Sequence, residues 1–148
     1  MEYKFYVSYD AARLLKEKGY DNYSIVYDCS VKGDILLNQR PIDGEWAGDK
    51  DIYPCPSKSE AIDWLEQVHG IRIEIRMKHC KIKGDPMEIK DTDEYAWRWF
   101  YVICIGDDVD NPILEEESEG SEYVKLFNSR LEAENAAIIQ ASKEITKL

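Results

Sequence analysis

From Ile71 to Lys78 apolar and charged residues alternate without a break, Ile71, Ile73, Ile75 and Met77 against Arg72, Glu74, Arg76 and Lys78. Successive strand side chains point to opposite faces, so this period of two predicts a strand that is buried on one face and wet on the other. Such strands belong to antiparallel sheets with helices collected on one side, because parallel crossovers cover both faces and leave strands apolar throughout. Tyr95 to Ile105 is the strongest strand. It shows Tyr95, Trp97, Trp99, Tyr101, Ile103 and Ile105 on one face and Ala96, Arg98, Phe100, Val102 and Cys104 on the other, the pattern of a central strand. The turn-rich Lys81 to Glu94, with Gly84-Asp85-Pro86, predicts a long hairpin that pairs the two strands antiparallel.

Three helices announce themselves by their starts. Ser8-Tyr9-Asp10-Ala11-Ala12, Ser57-Lys58-Ser59-Glu60-Ala61 and Ser129-Arg130-Leu131-Glu132-Ala133 each place a serine before an acidic residue and an alanine. The serine oxygen accepts from free amides of the first turn, and the acid complements the positive end of the helix dipole. The first helix, about Ser8 to Lys18, carries Ala11, Leu14 and Leu15 on one face and stops at Gly19, after which Tyr20 packs back. The second, about Ser59 to His69, has the broad apolar face Ala61, Ile62, Trp64, Leu65 and Val68 and ends at Gly70. The third, about Ser129 to Lys147, is alanine-rich and suited to close packing on a sheet.

Weaker signals fill the remainder. Tyr23 to Val31 alternates in part, with Ile25, Tyr27, Cys29 and Val31 on one side, and Ile35-Leu36-Leu37 is a short second strand. Arg40 to Pro56 is rich in proline, glycine and acids without any period and predicts a surface loop that includes Trp46. Gly106 to Gly120 is acidic and irregular, and Tyr123 to Phe127 adds an edge strand. The expectation is one α+β domain over 1–148: two layers, a mainly antiparallel sheet of three to five strands, and three helices on one face.

Charge narrows the partners. In 148 residues, 30 acidic against 19 basic side chains give a formal charge of −11, which repels phosphate backbones and anionic lipid at long range. No apolar run approaches the ~20 residues that span a bilayer, and Met-Glu-Tyr-Lys-Phe-Tyr-Val lacks the features of a secretory signal. A cytoplasmic chain with no direct nucleic-acid or membrane partner is expected.

Candidate chemistry is sparse. Cys29, Cys55, Cys80 and Cys104 form no C-x-x-C pair and predict reduced thiols; a zinc site from Cys55, His69, His79 and Cys80 lacks the paired knuckles of structural zinc. Asp107-Asp108-Val109-Asp110-Asn111 offers oxygen ligands for Mg²⁺ or Ca²⁺ but has neither the glycine nor the distal glutamate of an EF-hand loop, and Glu115-Glu116-Glu117 beyond it suggests a solvated segment. His69 suits the last turn of a helix, where an imidazolium favours the dipole. His79 and Cys80 are strand neighbours on opposite faces and make a poor nucleophile pair. G-x-G-x-x-G, G-x-x-x-x-G-K-[ST], G-x-S-x-G and H-E-x-x-H are all absent. The row Tyr95-Trp97-Trp99-Tyr101 serves as core under the helices or as a ligand platform, with core favoured. Phe100, Val102 and Arg98 then lie on the outer sheet face as a candidate interaction surface.

Val7 to Tyr20, Pro56 to Ile71, the late aromatic strand and the alanine-rich end helix together resemble small uncharacterised proteins of phages and prophages in Bacteroides-type gut bacteria. The longer acidic loops around Asp49 and Glu116 depart from that pattern. The resemblance implies a mobile-element setting and no mechanism. The leading expectation is a non-catalytic interaction module without a cofactor, acting through a protein partner or a homo-oligomer. An acidic inhibitor or DNA mimic of a host nucleic-acid-binding protein and a metal-dependent enzyme using Asp107 to Asp110 are the alternatives.

Overall fold

The computed structural model describes residues 3–29, 36–39, 51–84, 87–106, 112–115 and 125–145. A 3-10 turn, Tyr3–Phe5, leads into α1 (Tyr9–Glu17), and the short strands β1 (Ile25–Asp28), β2 (Leu36–Gln39) and β3 (Ile52–Pro54) follow. Then come α2 (Lys58–His69), β4 (Ile71–Lys81), β5 (Tyr95–Ile105), β6 (Pro112–Glu115) and α3 (Arg130–Glu144). The class is α+β, and among the described residues every strand pair is antiparallel.

The three serines cap as their spacing predicts. Ser8, Ser57 and Ser129 Oγ accept from the amides of Ala11, Glu60 and Glu132 at 3.3, 3.1 and 3.2 Å. Gly70 closes α2 in the left-handed region at φ 66°, which lets β4 begin one residue after the helix ends. Gly19, at φ 97°, turns the chain so that the Tyr20 amide reaches the Leu15 carbonyl at 3.0 Å and the ring returns to the core.

Among the described residues the strands divide over two sheets of three, ordered β2-β1-β3 and β4-β5-β6, rather than joining in one. Ile71, Ile73, Tyr101 and Ile103 face the main core with Leu15, Leu65, Ala137, Ile138 and Ala141. Ala133, Ala137 and Ala141 of α3 are fully buried, and their small size brings this helix against β4, β5, α1 and α2 together, while Ala136 is only partly buried at its edge. α1 packs against α3 and against β3 of the other sheet, so α2 and α3, not all three helices, cover β4 and β5. Val26 faces away from the main core into a small cluster with Tyr23 and Ile52, which explains why β1 alternates only in part.

Two segments expected as loops contain strands. Ile52–Pro54 pairs with β1, with Tyr53 opposite Tyr27, and buries Ile52 and Pro54. Three residues are too few to show a period, and Pro54 is tolerated because β3 is the sheet's edge. Pro112–Glu115 pairs with β5 opposite Val102 to Cys104 through a register shift, although its composition is that of a turn-rich acidic stretch. The predicted strand over Tyr123 to Phe127 lies partly outside the described residues; Phe127 itself exchanges two backbone hydrogen bonds with Trp99, at 2.8 and 3.0 Å. The Val68 side of α2 is exposed, so its apolar face is narrower than predicted.

Burial pushes the Tyr20 hydroxyl and the Cys55 thiol each up to about 12, from 10.0 and 9.0. The folded state therefore holds these protons more tightly than the unfolded chain does. Their stabilisation is fully present below about pH 9 and is lost as pH rises toward about 12. Urea unfolding across alkaline pH is expected to show this decline, and Tyr20→Phe is expected to flatten part of it; an unchanged slope in that variant would show that Tyr20 does not contribute.

Candidate functional site

β4 and β5 pair over eleven residues without a break, Ile71 opposite Ile105 through Lys81 opposite Tyr95. Opposed residues share a face, so Met77, His79 and Lys81 of β4 stand beside Trp99, Trp97 and Tyr95 of β5 on the continuation of the core face. At ~3.3 Å per residue the ribbon is about 36 Å long, whereas the fifteen-residue α3 spans about 22 Å. The ribbon outruns its helices. The Arg130 guanidinium lies 5.8 Å from the Trp99 ring, at the start of α3.

Past that point the face loses its cover. Tyr101 is 4% exposed, whereas Tyr95 is 46%, Trp97 58% and Met77 46% exposed. The aromatic row is therefore core in its Tyr101 half and surface in its Tyr95 half. His79 ties the outer part together, its ring 4.9 Å from Trp97 and 5.4 Å from Tyr95. Ile82, Met87 and Ile89 add further exposed apolar side chains at the hairpin end.

The hairpin end is braced. The Lys81 ammonium meets the Asp93 carboxylate at 3.2 Å with both side chains 8% exposed, and it also donates to the Glu88 carbonyl. Asp93 in turn accepts from the Lys90 amide at 2.6 Å, and its own amide donates to the Lys90 carbonyl at 3.1 Å. An ion pair shielded this far, with further hydrogen bonds on both partners, holds one geometry better than an exposed pair does. Arg76, Lys78, Lys81 and Lys83 give residues 76–84 four basic side chains and no acidic one, in a chain of charge −11.

The expected surface on the other face is covered. Phe100 is 2% and Val102 1% exposed, and with Cys104 they form a separate buried cluster. Only Arg98 of that set remains partly exposed, where it donates to the Trp97 carbonyl at 3.1 Å. The pattern correctly gave β5 two apolar faces. It misplaced the accessible one, because alternation does not report how far along a strand the covering elements reach.

The remaining candidates stand apart. Asp107 to Asp110 and Trp46 lie outside the described residues. Among the described residues no three His, Cys, Asp or Glu side chains gather as metal ligands. His69 packs edge-on against Trp64 at 4.7 Å, whereas His79 and Cys80 are far along β4. Cys55 borders a cleft of about 190 Å³ with Tyr20, Ser24, Pro56 and Glu60, but its thiol donates to the Val7 carbonyl and burial keeps it protonated, which is the opposite of an activated nucleophile. Among the described residues no helix is long and apolar enough to cross a membrane.

No family model matches the chain, and the comparisons with curated proteins and with solved structures find no similar protein.

Asp93→Asn removes one charge of the shielded pair and leaves the Lys81 ammonium facing a neutral amide. Hydrogen exchange is expected to accelerate at the Ile82 and Lys90 amides while Ile73 and Ile103 stay protected. Uniform protection across the hairpin would show that the ion pair does not brace it.

Proposed function

We propose that this protein is a non-catalytic interaction module that engages a protein partner through the distal face of the β4–β5 arm. The observation that carries the proposal is the exposure of Trp97, Tyr95 and Met77 as a contiguous continuation of the core face. Aromatic and methionine side chains of this kind are the residues that dominate binding energy when a partner covers them, and leaving them in water is unfavourable. The shielded Lys81–Asp93 pair supports the reading, since a pre-ordered arm loses less conformational freedom on binding. The exposed Lys83 at the hairpin end suits a partner that carries acidic groups beside an apolar patch. A second copy of this strongly acidic chain meets that description, as does a different acidic protein. The mobile-element setting belongs to the same proposal, in which the module binds a phage or host protein.

The test compares the wild-type chain with the double variant Trp97→Ser, Met77→Ser. Light scattering reads self-association, and affinity capture from nuclease-treated lysate of a Bacteroides-type bacterium reads other proteins. Partner occupancy or dimer content is expected to fall at least about tenfold, the effect of losing one well-buried aromatic anchor. The circular dichroism spectrum is expected to stay the same. Undiminished capture by the variant would overturn the proposal, and so would a species that is captured from untreated lysate and lost on nuclease treatment, which would reassign the arm to nucleic acid.

A further inference from the structure

A second feature lies at the helix starts, and none of the exposed arm residues takes part in it. The chain before α1 runs beside the chain before α2: Tyr6 bridges Ser57, and the Val7 amide donates to the Pro56 carbonyl at 3.1 Å. Two helix N-termini therefore begin next to each other. α3 crosses them, and Asn135 locks onto Ser8, its Oδ1 accepting from the Ser8 amide at 2.8 Å and its Nδ2 donating to Ser8 Oγ at 3.0 Å. Between these segments an open groove of about 500 Å³ is lined by Tyr6, Tyr27, Lys58, Phe127, Glu132 and Ile139, among others. That volume falls in the range of small-molecule sites.

Lys58 is the unusual member of this lining. It occupies the first position of α2, where the helix dipole already favours an anion, and it is 8% exposed. Among the described residues its one hydrogen bond goes to the Lys4 carbonyl at 2.7 Å, although an ammonium carries three donors. The nearby acids do not neutralise it by contact. Glu134 is bound to the Arg130 side chain at 2.8 Å, and together with Glu132 it acts on Lys58 only through its field. Desolvation outweighs that field and lowers the Lys58 pKa, so a desolvated cation faces the groove with unused donors.

We propose that this groove binds a small carboxylic acid with an aromatic or apolar body, its carboxylate on the Lys58 ammonium and its body against Tyr6, Tyr27, Phe127 and Ile139. Size and charge select that class. The groove's mixed wall matches one polar group on an apolar frame. A monoanion balances the single ammonium, whereas the opposing field of Glu132 and Glu134, which acts on any anion there, weighs about twice as heavily on a phosphate dianion. Ser8 and Asn135 satisfy each other and serve to position the wall.

Phenylacetate, phenylacetamide and phenyl phosphate probe the site, with binding followed by amide NMR shifts on the full chain. Phenylacetate is expected to shift Ser8, Lys58 and Asn135 saturably, with phenylacetamide and phenyl phosphate both weaker. Lys58→Met is expected to weaken phenylacetate at least about tenfold, the loss of one charged hydrogen bond, while Lys58→Arg restores most of it. Ala136→Phe, which fills the groove from α3 and leaves Lys58 in place, keeps the question decidable if Lys58→Met fails to fold; it is expected to abolish binding. The absence of any saturable shift at these residues, equal binding of the amide, or binding that survives Ala136→Phe would each overturn the proposal.

Discussion

The unbroken antiparallel register between β4 and β5 is the constraint on which the rest of the structure depends. Because strand side chains alternate, a slip of β4 by one residue against β5 would turn Ile71 and Ile73 out of the core and turn Arg72, Glu74 and Arg76 into it. The placement of α2 and α3 follows from that face. So does the position of the exposed aromatic cluster, which lies on the same register rows carried beyond the helices. The core and the arm are thus one continuous face, divided by where α3 begins.

A second layer of order comes from the helix starts. Three serines satisfy first-turn amides locally, and the segments before α1 and α2 pair with each other, which brings two N-termini together under α3. Buried alanines allow α3 to approach both the sheet and the other helices, while Asn135 and the polar residues Glu134, Ser142 and Glu144 find local partners. The open groove beside Lys58 remains where these elements meet. Arm and groove are distinct in chemistry: one is an apolar ridge with basic neighbours, the other a concave site around one desolvated cation.

The sequence by itself determined the three capped helices, the two long strands, their antiparallel hairpin and the α+β class, because caps, period-two alternation and turn residues act within a few positions of one another. It also marked Tyr95 to Ile105 as apolar on both faces. Tertiary structure decided what depends on distance. The division of strands over two sheets and the short strands Ile52–Pro54 and Pro112–Glu115 require partners far along the chain and are too brief to carry a period. Whether an apolar side chain is covered depends on where a helix or strand from elsewhere ends, which is why Phe100 and Val102 are buried while Trp97 and Tyr95 are exposed. Lys58 has a helix-start signature that any surface lysine would share; only the approach of the Tyr3–Ser8 segment and α3 buries its ammonium and shapes a groove around it.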